Sequence, residues 1–185
     1  MSDTGFTVPD AKLERFAACY ERAPDKSLRL EDDPETSRYR TLPRAPSGAG
    51  GLVGTLQDYA HFCEMLVQGG AFRGRQIVGR PILDLMTRNH LGGKSLAQMA
   101  IGGFSETSNE GVGFGLGFAS TIDAAASGTV GEGDFYWGGL ASTLFWVDPV
   151  EDLYAVFMAQ LIPSSTFNFR GQIKNIVYGA LTSPR

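Results

Sequence analysis

The chain has 185 residues, 43% of them hydrophobic and 19% charged, which fits one globular domain or two small lobes with a real core. The formal net charge is −4, and the basic residues are scattered without a dense stripe, so the charge pattern does not indicate a nucleic-acid partner. No apolar run is long enough to cross a bilayer, and the start M-S-D-T-G-F has neither the basic start nor the apolar core of a signal peptide. This pattern favours a cytoplasmic location but leaves the compartment open, and any export signal would lie on a longer precursor.

The first quarter of the chain predicts one helix followed by a long loop. Residues 10–22 carry apolar side chains at helical spacing, with Asp10 as the expected cap. Residues 24–47 are polar and broken by prolines, which predicts a surface loop with a short strand. The acidic run at 31–33 (E-D-D) is interpreted as a solvated face rather than a metal site.

Cysteine and histidine patterns do not indicate a metal site or a redox site. Cys19 and Cys63 both fall in predicted apolar helices and are interpreted as buried free thiols, with a disulfide between them as the alternative that the sequence leaves open. His61 and His90 lack partners at the spacing of metal ligands. We therefore expect no metal and no cofactor.

The middle of the chain predicts two further helices. Thr55 followed by Asp58 resembles a capping box, and Gly69-Gly70 is expected to end the helix that starts there. The apolar residues expected on its inner face are Leu56, Tyr59, Phe62, Cys63, Leu66 and Val67. Pro81 is placed for the first turn of the next helix, whose expected inner residues are Ile82, Leu85 and Met86. Residues 91–111 are rich in glycine and polar residues, which predicts a mobile loop.

From residue 112 onward the sequence predicts an antiparallel sheet. Four β candidates, at 115–122, 134–139, 141–147 and 153–160, are joined by short turns and read as a meander. Asp148-Pro149 is a hairpin turn signal. Residues 167–181 predict a closing helix with Ile173, Ile176, Val177 and Ala180 on one face. Helices first, then a sheet, then a covering helix indicate an α+β fold.

Four segments in this order resemble a known family. They are M-S-D-T-G-F, S-G-A-G-G-L-V-G-T-L-Q-D-Y-A-H-F-C-E-M-L-V-Q-G-G, G-F-G-L-G-F and Y-W-G-G-L-A-S-T-L-F-W-V-D-P. Together they resemble the C-terminal half of the β-lactamase-related serine hydrolases, which include class C β-lactamases, D-alanyl-D-alanine peptidases and family VIII esterases. The resemblance implies a β-lactamase/transpeptidase-like α+β fold, present as an incomplete domain. Residues 1–111 would be part of the helical lobe and loops, and residues 112–185 the antiparallel sheet with its covering helix.

The resemblance also implies a reaction. In that family a serine of S-x-x-K attacks an ester or amide carbonyl, a tyrosine of Y-x-N helps to move protons, and a third box, commonly K-T-G, lines the opposite wall on an open edge strand. Trp137-Gly138-Gly139 occupies the third box here. The substrate-binding residues implied are Tyr136, Trp137, Gly138, Gly139 and Leu140. The Leu140 backbone N–H would be one oxyanion donor.

Two departures from the family pattern shape the functional expectation. Trp137 replaces the lysine that would dock a carboxylate, which favours an ester over a β-lactam or peptide substrate. Neither S-x-x-K nor Y-x-N occurs in the chain, so we expect it to be inactive alone. The intact enzyme would act on a small-molecule ester or amide, and an exposed half-core would favour self-association. The alternative is a non-catalytic protein that uses the same half-fold to bind a ligand or partner.

Other readings of the same residues remain open at the level of sequence. Gly138 and Gly139 are also compatible with an ordinary hairpin turn. Ser47, Asp58 and His61 are conceivable as a catalytic triad. The stretch G-F-G-L-G at 113–117 has the glycines of a phosphate loop but no Walker lysine, so it argues weakly for a nucleotide.

Overall fold

A computed structural model describes residues 1–99 and 109–182 of the chain. Much of the predicted loop at 91–111 therefore lies outside the described residues. The helices are α1 (Leu56–Val67), α2 (Arg80–Thr87), α3 (Ala124–Ser127) and α4 (Phe169–Gly179). The strands are β1 (Cys19–Arg22), β2 (Leu28–Asp32), β3 (Ala71–Phe72), β4 (Arg75–Gln76), β5 (Val112–Phe114), β6 (Ala119–Thr121), β7 (Phe135–Gly138), β8 (Leu144–Asp148), β9 (Leu153–Phe157) and β10 (Leu161–Ile162). Among the described residues no helix is long and apolar enough to cross a membrane.

The main sheet is a five-stranded antiparallel meander in the order β5-β6-β7-β8-β9, which confirms the predicted topology. The turn after β8 is held as expected, because Asp148 Oδ1 accepts hydrogen bonds from the N–H groups of Val150 and Glu151 at 2.8 and 3.1 Å. Strand β5 was not predicted as a strand. Its sequence V-G-F lacks an alternating apolar pattern, and pairing with β6 supplies the strand conformation.

Helices cover both faces of this sheet, so the core has two halves. On one face, α1 and α2 contribute Cys63, Met65, Leu66 and Leu83, which pack against Phe118, Phe135, Phe145 and Val147 of the sheet. On the other face, α4 packs through Phe169, Ile173, Val177 and Tyr178 against Tyr136, Leu144 and Trp146. Alternate residues of β7 therefore serve opposite cores. The C-terminal helix covers the sheet as predicted.

Helix α1 begins where the sequence indicated. Thr55 Oγ1 accepts a hydrogen bond from the Asp58 N–H at 3.2 Å, which confirms the predicted N-cap. Cys63 lies fully buried within this helix and burial raises its pKa to about 12, so the thiol is held in its neutral form. Cys19 is also a buried free thiol.

The predicted helix at 10–22 was wrong over most of its length. Only Asp10–Arg15 is helical, as a 3-10 helix preceded by Pro9, and Asp10 pairs with Arg40 instead of capping. Cys19–Arg22 is a strand because two distant segments pair with it. β2 runs antiparallel to it and β10 runs parallel to it, giving a second sheet in the order β10-β1-β2. Long-range pairing thus overrides the local helical pattern.

Some predicted inward faces were shifted by about one residue. Leu56, Ile82 and Leu85 are exposed, and Leu83 is the buried residue of α2. In α4, Ile176 is 72% exposed and Ala180 is exposed, whereas Lys174 is only 2% exposed. Apolar spacing alone could not predict which residues of α4 face the core, because one buried position is taken by a lysine whose partner, Asp134, is also buried.

We expect the chain to self-associate or to bind a hydrophobic dye, because many large apolar side chains are exposed. They include Leu28, Leu30, Leu42, Ile77, Ile82, Leu116, Leu140, Val150 and Ile176. Light scattering after gel filtration, together with dye fluorescence, measures this directly. A monomeric peak over a wide concentration range with no dye enhancement would contradict it.

Candidate active-site wall

The third-box segment begins on β7, an internal strand of the sheet that ends at Gly138, and Gly139 follows the strand. Phe135 and Tyr136 pair with Ser120 and Ala119 of β6, so the prediction of an edge strand was wrong for this part of β7. On the other side β7 pairs with β8 along its whole length. The recorded pairing with β6 stops at Tyr136, so β7 extends beyond the end of its β6 neighbour.

A tight hairpin connects β7 to β8, but the two glycines do not make its turn. Gly139 N–H donates to Thr143 O at 2.8 Å, and Ser142 N–H donates to Gly139 O at 3.1 Å. The left-handed residue of the loop is Ser142, with φ of 65°, and its hydroxyl donates to Leu161 O at 2.6 Å. Neither Gly138 nor Gly139 has a positive φ. A turn conformation therefore does not explain why these two positions are glycine.

The two glycines are better explained by the close approach of two side chains, those of Arg170 and Thr143. A Cβ on Gly138 would lie 2.5 Å from Arg170 Nη2, because the guanidinium rests on this position from the α4 side. A Cβ on Gly139 would collide with Thr143 Oγ1 across the hairpin. The nearest obstacle in each case is the end of a side chain, and at Gly138 the Thr143 carbonyl oxygen follows at 3.2 Å. The segment therefore presents backbone rather than side chains along this stretch.

The five predicted site residues are continuous in space but differ in exposure. The Tyr136 side chain is only 7% exposed and lies under Arg170 and Lys174, so its ring belongs to the core. Trp137 is 41% exposed and Leu140 is 66% exposed. Among the described residues the Leu140 N–H has no hydrogen-bond acceptor.

Sequence reasoning missed Arg170, which brings a cation close to the candidate substrate wall, the segment Trp137–Leu140. Its guanidinium carbon lies 5.0 Å from the centroid of the Tyr136 ring, a cation–π arrangement. Arg170 sits in the first turn of α4, where the helix dipole disfavours a positive charge. That unfavourable placement was the available signal that the arginine has a specific contact.

A buried polar network fixes α4 to the sheet behind the wall. Lys174 Nζ contacts Asp134 Oδ2, and Asp134 Oδ1 accepts from Thr121 Oγ1 at 2.6 Å. One turn further along α4, the Tyr178 hydroxyl donates to Asp148 Oδ2. Burial raises the pKa of Asp134, and the Lys174 ammonium partly opposes that rise. This network holds the helix that carries Arg170.

The structure does not assemble the conceivable triad of Ser47, Asp58 and His61. Asp58 Oδ2 accepts from the Asp3 N–H at 2.7 Å and from Thr4 Oγ1 at 2.9 Å, which ties the N-terminal segment to α1. The His61 ring instead lies 3.1 Å from Gln57 Nε2.

The other sequence candidates also have local structural roles. The Asp32 carboxylate accepts a hydrogen bond from Ser37 Oγ at 2.8 Å. In the part of the chain that the structure describes, no three His, Cys, Asp or Glu side chains cluster as metal ligands would. The G-F-G-L-G stretch forms the end of β5 and the turn into β6, where Gly115 N–H donates to Phe118 O at 2.8 Å.

Comparison with known proteins places this fold. The profile of the Beta-lactamase family matches residues 1–172. Two proteins of Mycobacterium tuberculosis, Rv1367c and MT1414, are each 32% identical over 167 residues, which is 88% of this chain and 40% of the relative.

Solved structures show the same architecture. EstCE1, described as a hydrolase with promiscuous acyltransferase activity, superposes with a TM-score of 0.76 at 25% identity, over 96% of this chain and 46% of that one. A LovD6 mutant of simvastatin synthase from Aspergillus terreus gives a TM-score of 0.73 at 20% identity, over 96% and 47%. A penicillin-binding protein homologue from Caulobacter crescentus gives 0.58 at 16% identity, over 97% and 48%.

The chain thus spans less than half the length of these relatives and matches a β-lactamase/transpeptidase-like fold as a partial domain. The segment order noted in the sequence, the antiparallel meander with its covering helix and the profile match over residues 1–172 agree with one another. This chain belongs to the Beta-lactamase family.

Proposed function

We propose that this chain forms the sheet wall of a serine acyl hydrolase of the carboxylesterase type, whose nucleophile and base lie on polypeptide outside these 185 residues. One observation carries the proposal. The Leu140 N–H has no acceptor among the described residues, and it opens the β7–β8 turn directly after Gly138, the last residue of β7, and Gly139. A backbone donor beside a stretch without side chains is what an acyl carbonyl needs.

In this arrangement the substrate lies against Trp137–Leu140 and its carbonyl oxygen points at the Leu140 N–H. The serine of an S-x-x-K segment attacks from the facing wall. Negative charge then develops on the carbonyl oxygen, and one such donor typically contributes about 3 kcal/mol to the transition state. The serine N–H would supply the second donor.

One feature favours an ester over a β-lactam. Trp137 stands where the family commonly has a lysine, so the box itself carries no cation for a carboxylate. The similarity to EstCE1, described as a hydrolase with promiscuous acyltransferase activity, supports acyl transfer in general. Arg170 does bring a cation near Gly138, but from the face that α4 covers.

The isolated chain should hydrolyse p-nitrophenyl esters and nitrocefin no faster than the background rate, because it has no S-x-x-K serine. The longer polypeptide that includes the S-x-x-K segment should hydrolyse the esters and react with a fluorophosphonate probe. Changing the serine of that segment to alanine is the matched control.

Two results would overturn this proposal. Fluorophosphonate labelling of the isolated chain that disappears in Ser47→Ala would point to a nucleophile within it. An upstream segment without S-x-x-K, together with no ester hydrolysis, would favour the alternative of a non-catalytic binding protein.

A further inference from the structure

We infer that Phe114 and Trp137 form an apolar subsite for the aliphatic acyl chain of the ester, so that the site prefers neutral acyl chains of medium length. This inference rests on the proposed function and names its substrate class. The two rings meet edge to face, with centroids 5.1 Å apart and planes at 72°. Such a pair is a stable aromatic surface.

Exposure shows that the Trp137 side of the pair is open, whereas Phe114 is half-buried and packs against the core on the α4 face. Trp137 is 41% exposed, whereas the other tryptophan, Trp146, is 1% exposed. A half-exposed indole keeps apolar area in water that a ligand can cover, and an alkyl chain gains affinity in proportion to the area it covers.

The backbone of Phe114 is held firmly, as a binding platform requires. Its N–H donates to Asn89 Oδ1 at 3.2 Å, and its carbonyl accepts from the His90 N–H at 2.8 Å. The segment after α2 therefore fixes the end of β5. A subsite built on such a fixed element keeps its geometry when a ligand binds.

The position of the pair sets the length of the chain that it would bind. Trp137 precedes the Leu140 N–H by three residues, a span of about 10 Å if extended. An acyl chain of roughly six to eight carbons covers that distance at ordinary bond lengths. An acetyl group would leave the rings uncovered. A terminal carboxylate would have to desolvate against them.

Quenching of tryptophan emission by acrylamide tests the inference on the full 185-residue chain. Trp137 is accessible and Trp146 is not, so the quenchable signal belongs to Trp137, and Trp137→Phe should abolish it. Octanamide should roughly halve the quenching constant. Acetamide, and the anionic monoamide of suberic acid, should leave it unchanged at equal concentration. Phe114→Ala should weaken octanamide binding about tenfold.

Control variants keep the test decisive. Phe114→Leu should retain most of the octanamide protection, which separates loss of the apolar surface from loss of folding. Ile176→Ala, at an exposed position on α4, should bind as the wild type does. Equal protection by acetamide, or unchanged binding in a folded Phe114→Ala chain, would overturn the subsite.

Turnover by the longer polypeptide separates this inference from the proposed function. Ester hydrolysis with no preference for octanoate over acetate would overturn the subsite alone. Octanamide protection with no hydrolysis by a polypeptide that contains S-x-x-K would overturn the proposed function alone. Hydrolysis that favours octanoate and loses that preference in Phe114→Ala would support both.

Discussion

Replacing Lys174 with methionine should lower the free energy of unfolding by about 3–5 kcal/mol, because it leaves a buried carboxylate without its cation. Asp134 is fully buried and Lys174 is 2% exposed, so water cannot replace the lost partner. Within residues 1–99 and 109–182, the Thr121 hydroxyl and more distant groups remain to stabilise the charge. Urea unfolding followed by circular dichroism measures the change.

Two control variants show whether a loss of stability in Lys174→Met comes from the buried ion pair. Lys94→Met makes the same change at an exposed lysine and should alter stability by less than about 0.5 kcal/mol. A double variant, Asp134→Leu with Lys174→Met, removes both charges and should recover much of the loss, since apolar replacement of a buried pair is often tolerated. A single variant as stable as the wild type would show that the pair does not hold α4 to the sheet.

Replacing Gly139 with valine should lower kcat/KM for an ester by about 100-fold in the longer polypeptide, because misplacing a substrate by about 1 Å costs that much. The new side chain would stand where the Thr143 hydroxyl now lies, directly beside the proposed substrate-binding segment, and would displace the substrate from it. The collision with Thr143 Oγ1 complicates a single substitution, so the test belongs in a Thr143→Ala background. Melting temperature and kcat/KM are measured together on the same protein.

The two outcomes for Gly139→Val point in opposite directions. Lost activity with an unchanged melting temperature supports a substrate wall. Lost stability, with a fully active folded fraction, would mean that the glycine serves only the hairpin. Gly50→Val is the matched control, since a Cβ there meets nothing within 4 Å, and neither quantity should change.

Features set by neighbouring residues could be predicted from the sequence. The Thr55 cap, α1 and the hairpin turn at Asp148 depend on contacts within a few residues, and all three were found where expected. Their signals are local hydrogen bonds and short periodic patterns, which act before any tertiary packing.

Features set by distant partners could not be predicted in this way. β1 is a strand because β2 and β10 pair with it, and its own sequence favoured a helix. Lys174 is buried because its ammonium group forms an ion pair with the buried carboxylate of Asp134, which lies forty residues earlier in the chain. The internal position of β7 depends on β6, whose pairing with β7 stops at Tyr136. A motif predicted the proposed substrate-binding segment, whereas its neighbours in the sheet could not be predicted from that motif.

The parallel pairing of β1 with β10 has a consequence for biosynthesis. Tyr20 pairs with Leu161, so about 140 residues separate the two strands in the chain. At the usual 5–20 residues per second, the ribosome needs roughly 7–28 s to make that stretch. During this interval the β1–β2 hairpin has emerged while its third strand does not yet exist. An isolated two-stranded hairpin is marginally stable in water. The nascent chain therefore presents an unpaired β1 edge to chaperones, and to neighbouring nascent chains, until translation has passed residue 162.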